Sequence, residues 1–135
     1  MTVLIVDGQG GRLGKQLVKE VLERFPELQV LAVGTNSMAT ESMIKAGALR
    51  AATGENAVVV ACRQADVILG PIGVVIADAL LGEVTPAMAK AVGQSDAVRI
   101  LLPSDKCNTL VAGVGDQGMS ALIADAMEKL ATLLK

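Results

Sequence analysis

The sequence predicts a three-layer α/β domain with a largely parallel sheet of five or six strands. Three observations carry this expectation. Short apolar runs alternate with segments of helical periodicity; the runs lack alternating polar positions, as strands covered on both faces do; and a glycine-rich turn joins the first run to the first helix. The chain has 135 residues, within the roughly 100–200 typical of one domain. No Ser-rich linker, low-complexity tract or solenoid-length repeat interrupts it, so residues 1–135 are read as a single domain.

Residues 2–6, Thr-Val-Leu-Ile-Val, form the first strand. Leu13, Leu17, Val18, Val21 and Leu22 then recur at helical spacing until Pro26 closes the segment. Residues 30–33 make a second strand, Met38, Met43 and Ile44 mark a short helix ending near Gly47, and residues 49–52 make a short third strand. A helix over about 55–63 leads to a fourth strand at 66–70 and a Gly/Pro turn, followed by a helix around 74–81. Thr85-Pro86 is a strong helix start: the hydroxyl caps free N–H groups, and Pro at the first helical position has no N–H to leave unpaired. That helix runs to about Val92. Residues 98–102 and 110–114 read as two further strands, and an amphipathic helix over 119–134 ends the chain. Strand–helix alternation of this kind implies right-handed crossovers between parallel strands.

The most informative segment is Asp7-Gly8-Gln9-Gly10-Gly11-Arg12-Leu13-Gly14-Lys15, which leaves an apolar strand and enters an amphipathic helix. In a doubly wound sheet such a turn brings backbone N–H groups and the positive end of a helix against a phosphate, and glycine allows the close approach. Gly8, Gly11 and Gly14 fit a G-x-x-G-x-x-G variant of the dinucleotide fingerprint, whereas Leu13 stands where G-x-G-x-x-G needs its third glycine. A P-loop ATPase is disfavoured, because Gln9 and Gln16 occupy the positions of the first glycine and of the Mg²⁺-binding hydroxyl. The competing explanation is structural: the glycines make a tight turn and let the helix pack closely.

An NAD site of this type carries an acidic residue at the end of its second strand, but here Gly34-Thr35-Asn36-Ser37 follows. Thr35 and Asn36 are expected to approach a ribose or a 2′-phosphate, which leaves NADP, NAD or a smaller nucleotide open; the alternative is a helix cap at Asn36 or Ser37. Gly70-Pro71-Ile72-Gly73 follows the fourth strand, which lies beside the first across the topological switch point, and is expected to form the opposite wall of the same crevice. Asp7 and Asp78 are expected to point toward that region.

Candidate chemistry is sparse. The chain has no His, which excludes Ser-His and Cys-His dyads and His-ligated zinc, and no Tyr, which excludes the Tyr-x-x-x-Lys signature of short-chain reductases. Cys107, beside Lys106 in the polar turn 103–108, is the best nucleophile, and Asp7 the best acid or base; an ordinary solvated turn is the bland reading of 103–108. Cys62 falls in a helical pattern and reads as a small core residue. Asp7, Glu55, Asp78, Glu83 and Asp105 match no metal-loop spacing, so no metal is expected. A net charge of −2, no basic run and Phe25 as the sole aromatic argue against nucleic-acid partners. The longest weakly polar stretch, 67–77, is well short of the roughly 20 residues of a membrane-spanning helix, and two cysteines make no disulfide framework, so the expected location is cytoplasmic.

Val6-Asp7-Gly8-Gln9-Gly10-Gly11, Gly34-Thr35-Asn36, Ala52-Thr53-Gly54-Glu55-Asn56-Ala57, Gly70-Pro71-Ile72-Gly73, Gly82-Glu83-Val84-Thr85-Pro86, and Leu102-Pro103 with Cys107-Asn108 are distributed over nearly the whole chain. In these motifs the sequence resembles a family of small bacterial proteins known as a domain of unknown function, and the resemblance implies a small Rossmann-like domain without implying a substrate. The expected function is nucleotide or dinucleotide binding of the NAD(P) type through residues 8–14, in a sensor or accessory protein. A small-metabolite enzyme using Cys107 or Asp7, or an oligomerising protein without a ligand, are the alternatives. A mean hydropathy of +0.53 is high for so short a chain, and residues 72–91, with Asp78, Glu83 and Lys90 as their charges, are the expected apolar face of a homodimer or tetramer.

Overall fold

A computed structural model describes residues 1–103 and 108–135. The chain runs β1 (Thr2–Asp7), α1 (Arg12–Arg24), β2 (Gln29–Gly34), α2 (Ser37–Lys45), β3 (Arg50–Thr53), α3 (Glu55–Gln64), β4 (Val67–Pro71), a 3₁₀ turn (Ile72–Val75), α4 (Pro86–Gln94), β5 (Val98–Leu102) and α5 (Met119–Thr132). The five strands pair in the order β3-β2-β1-β4-β5, and every pairing is parallel. The expected three-layer Rossmann-like architecture is present, with five strands.

The uniform apolarity of the central strands follows from this topology. Each strand is covered on both faces, so its alternate side chains enter two separate cores. Val3, Ile5, Val67 and Leu69 pack with Leu17, Val18 and Val21 of α1, Met43 of α2 and Met127 and Leu130 of α5. On the other face Leu4, Val6 and Ile68 pack with Val58 and Cys62 of α3 and Met88 and Val92 of α4. Chain direction explains the division: the crossovers β1 to β2 and β2 to β3 move one way along the sheet, those into β4 and β5 move the other way, and right-handed connections therefore lie on opposite faces. The reversal falls between β1 and β4, and the carboxyl ends of these strands frame the crevice there.

Two expectations are corrected. Residues 110–114 do not form a strand: Leu110 is 99% exposed and Val114 N–H closes a turn onto Val111 C=O at 3.2 Å. Gly113 has a left-handed backbone, φ +87°, which interrupts extension of the apolar run. Residues 74–81 do not form a helix. Their β-branched start, Val74-Val75-Ile76, favours helix poorly, and after the 3₁₀ turn the chain folds back on itself through Asp78 N–H to Val84 C=O (2.7 Å) and Val84 N–H to Ala79 C=O (3.1 Å). Of the apolar residues of 72–91, Val74, Leu80, Val84 and Met88 belong to the second core, Val75, Ile76 and Ala91 are partly buried against it, and Leu81 is exposed.

Among the described residues no helix is long and apolar enough to cross a membrane. Leu69 is fully buried at the centre of the sheet, and Leu69→Ala is expected to cost about 2–5 kcal/mol in urea unfolding. Met88→Glu places a carboxylate in the second core and is expected to lower unfolding stability by about 3 kcal/mol or more; an unchanged urea midpoint would contradict the burial of Met88.

Candidate functional site

The register pairs Asp7 with Gly34, so β1 and β2 end level, and Thr35 N–H donates to the Asp7 carbonyl at 2.9 Å. Directly above, the Asp7 side chain turns back under the glycine loop. Asp7 is 5% exposed; its Oδ1 accepts the Gly8 N–H at 2.8 Å and its Oδ2 the Gly14 N–H at 2.6 Å. One carboxylate therefore ties the start of the loop to the first turn of α1. Both oxygens are engaged, which makes Asp7 a clamp for the loop.

The glycines divide by role. A Cβ on Gly14 would lie 2.8 Å from the Asp7 Cβ and 2.7 Å from the Met43 sulfur, and one on Gly8 would lie 2.6 Å from Thr35 Oγ1 and 2.7 Å from Leu80 Cδ1. Gly11 has φ +74° and approaches the Ala39 Cα, which a Cβ would meet at 2.8 Å. These three glycines are required by packing. Gly10 has nothing within 4 Å of a Cβ position and is exposed. The loop is braced from α2: Ser42 Oγ donates to Gly10 C=O at 2.9 Å and Asn36 Nδ2 to Gln9 C=O at 2.9 Å.

The start of α1 has no side-chain cap. Among the described residues, the N–H groups of Gly10, Arg12 and Leu13 make no hydrogen bond. All three residues line a pocket of about 620 Å³, together with the rest of residues 7–13, Gln16, Leu80, Pro71 at the end of β4, Leu102 and Pro103 at the end of β5, and residues 114–117 with Met119 and Leu122 of α5. Its size suits a ligand of nucleotide scale, and its position is the switch-point crevice.

Of the residues expected to bind a ligand, Gly8, Gln9, Gly10, Gly11, Arg12, Leu13 and Pro71 line this pocket, as does Asp7. Gly14 lies beneath the loop against Asp7. Gly70, Ile72 and Gly73 are not in the lining; a Cβ on Gly70 would stand 2.4 Å from the Val6 carbonyl, so this glycine serves the approach of β4 to β1. Thr35 and Asn36 lie outside the pocket lining as well. Asn36 Oδ1 caps α2 by accepting the Ala39 N–H at 2.9 Å, the alternative the sequence had left open. Cys107 lies outside the described residues. Cys62 is buried, and burial pushes its thiol up to about 11. Among the described residues no three His, Cys, Asp or Glu side chains converge to hold a metal.

Glu83 is the residue whose place the sequence did not disclose. Its Oε1 accepts the Gln9 N–H at 2.8 Å, the Thr35 hydroxyl at 2.7 Å and the Asn36 amide at 2.7 Å. Asp78, expected at the crevice, is exposed and outside the pocket lining. The two carboxyls respond oppositely to their surroundings. Burial drives Asp7 above its ordinary 3.8, its bonds to Gly14 and Gly8 offset part of the rise, and the charge of Glu83 adds to it. Burial also works to raise Glu83, but the donors on Gln9, Thr35 and Asn36 prevail and hold it below its ordinary 4.5.

These shifts set opposite pH dependences. The Asp7 contribution to stability is complete below 3.8 and is lost as pH rises through its raised native value; that of Glu83 is complete above 4.5 and is lost as pH falls through its lowered native value. In urea unfolding, the stability gap between the native chain and Glu83→Gln is therefore expected to narrow below pH 4.5, and the gap to Asp7→Asn to narrow as pH rises from 3.8. Asp7→Asn offers one acceptor to two amides and is expected to cost about 1–3 kcal/mol. Gaps that stay constant with pH would contradict the assigned environments.

No curated protein and no solved structure matches the chain. The family model described as "Domain of unknown function (DUF3842)" matches residues 2–135. The chain accordingly belongs to the DUF3842 family.

Proposed function

We propose that the protein binds a nucleotide, with a phosphate over the N-terminus of α1 and the rest of the ligand along the crevice to either side of it. The observation that carries this reading is the set of three unbonded N–H groups, on Gly10, Arg12 and Leu13, residues that line a pocket of about 620 Å³. Backbone donors at an uncapped helix start favour an anion through hydrogen bonds and through the helix dipole together. Arg12 lines the same pocket, and its side chain carries a guanidinium of the kind that makes bidentate contact with phosphate oxygens. NAD and NADP are the ligands of this class that the architecture suits, with ATP, AMP and FAD as further probes. Binding as a sensor or accessory protein is favoured over catalysis because both oxygens of Asp7, the acidic group in the pocket wall nearest the loop, are held by loop amides.

Gly10 supplies the discriminating variant. A Cβ there meets no heavy atom within 4 Å, so the loop has room for added bulk beside the open amides. Titration calorimetry with NAD, NADP, ATP, AMP and FAD is expected to show micromolar binding of at least one, weakened about tenfold or more by Gly10→Val and by Arg12→Glu with the circular dichroism spectrum unchanged. Absence of binding across the panel, or binding indifferent to both substitutions, would overturn the reading.

A further inference from the structure

The end of β2 has no acidic side chain; Thr35 and Asn36 follow Gly34. In a dinucleotide site on a doubly wound sheet this is where a carboxylate accepts the ribose hydroxyls. The fold nevertheless holds a carboxylate there, brought by the segment that follows β4. Glu83 reaches over Gly8 and is fixed by one donor from the glycine loop and two from the residues after β2, all on Oε1. Its second oxygen, Oε2, makes no hydrogen bond among the described residues, and the residue is only half-buried. It is a held acceptor with one oxygen free of hydrogen bonds, beside the end of β2 and outside the lining of the pocket that opens toward β5.

The segment that carries Glu83 adopts backbone conformations unusual for its residues. Asp78, Leu80 and Leu81 have φ of +67°, +57° and +57°, and Gly82 has +89°. Left-handed conformations at consecutive leucines are costly, and they persist only where the surrounding structure over-determines them, a pattern that clusters at functional sites. Leu80 is buried against the second core and Leu81 is 98% exposed, so the apolar pattern does not account for this path. The outcome of the path is the position of Glu83: Glu83 N–H bonds Leu80 C=O at 3.2 Å, and Val84 is locked to Ala79 on the other side.

We infer that Glu83 is the ribose-recognising residue of the nucleotide site, with Oε1 anchored by Gln9, Thr35 and Asn36 and Oε2 accepting the ribose 2′- and 3′-hydroxyls, and that it selects NAD-type ligands against those with a 2′-phosphate. The assignment rests on the nucleotide reading given above. A fixed, ionised carboxylate rewards a hydroxyl donor and repels a phosphate monoester, so among the ligands that Thr35 and Asn36 leave open it favours NAD over NADP. Pre-anchoring matters here: the three donors already hold the carboxylate, and the ligand does not bear the entropy of ordering it.

The test is calorimetry on the whole chain with NAD and NADP, and with AMP and 2′,3′-dideoxyadenosine 5′-monophosphate. The native protein is expected to prefer NAD to NADP, and AMP to its dideoxy analogue, by about tenfold or more, the range of hydrogen bonds to a charged acceptor. Glu83→Gln, which keeps an acceptor for the loop, is expected to weaken NAD by about tenfold and to remove most of the discrimination against NADP. If Glu83→Gln fails to fold, the two native-protein comparisons still decide the matter. NADP binding as tightly as NAD, indifference to the missing hydroxyls, or tighter nucleotide binding by Glu83→Gln, as a carboxylate occupying the ligand's own anion position would produce, overturns the assignment. If NAD binds and Gly10→Val weakens it while the hydroxyls make no difference, the assignment of Glu83 alone falls; if no nucleotide binds, the phosphate site falls and Glu83's role falls with it.

Discussion

The hydrogen bonds from Gly8 and Gly14 to the buried Asp7 carboxylate are the constraint on which the site depends. A parallel strand that must hand its chain to a helix has backbone donors at both sides of the turn, and burying them without partners would cost more than the turn could return. Asp7 satisfies one at each side, so the loop between Gly8 and Gly14 is drawn tight against the end of β1. Of the remaining donors, the Gln9 N–H is taken by Glu83 and the Gly11 N–H by the Gly8 carbonyl, which leaves those of Gly10, Arg12 and Leu13 without an acceptor among the described residues. Three open amides at the start of α1 are in this sense what remains once Asp7, Glu83 and the Gly8 carbonyl have taken the other donors of the loop.

The same economy governs Glu83. Its carboxylate joins three structures that are distant in sequence: the glycine loop, the end of β2 and the segment after β4. It thereby completes the β2 side of the crevice, while the pocket opens on the opposite side toward β5 and α5. The two sides of the loop differ in kind: a charge is held in place toward β2, while the pocket toward β5 is bounded by Leu102, Met119 and Leu122 together with Asp116 and Gln117.

Much of the fold was legible because parallel strands covered on both faces leave an unbroken apolar signature and amphipathic helices a 3.6-residue one. Residues 2–6 and 66–70 carry the first signature, Leu13 through Leu22 the second, and the structure has β1, β4 and α1 there. The failures have a common source. Residues 110–114 and 74–81 have strand-like or helix-like composition, but the path of each is decided by left-handed residues, Gly113 in one and Asp78, Leu80 and Leu81 in the other. A leucine with positive φ has no sequence signature, so the arrival of Glu83 at the glycine loop could not be read from periodicity. The loop itself was recognisable from its glycines and its place between strand and helix, yet which glycines served packing and which bordered open space depended on Thr35, Ala39, Met43 and Leu80, residues 27–72 positions along the chain from the glycines they meet.

The division of labour among the glycines bears on how such loops persist in evolution. Gly8, Gly11 and Gly14 are held by contacts inside the protein, so purifying selection on folding alone would retain all three in a descendant that had lost every ligand. Gly10 is the position where no internal contact opposes a side chain. In this fold a preserved glycine pattern therefore records the geometry of a turn, and drift at the tenth residue is where a change of ligand would first leave its trace.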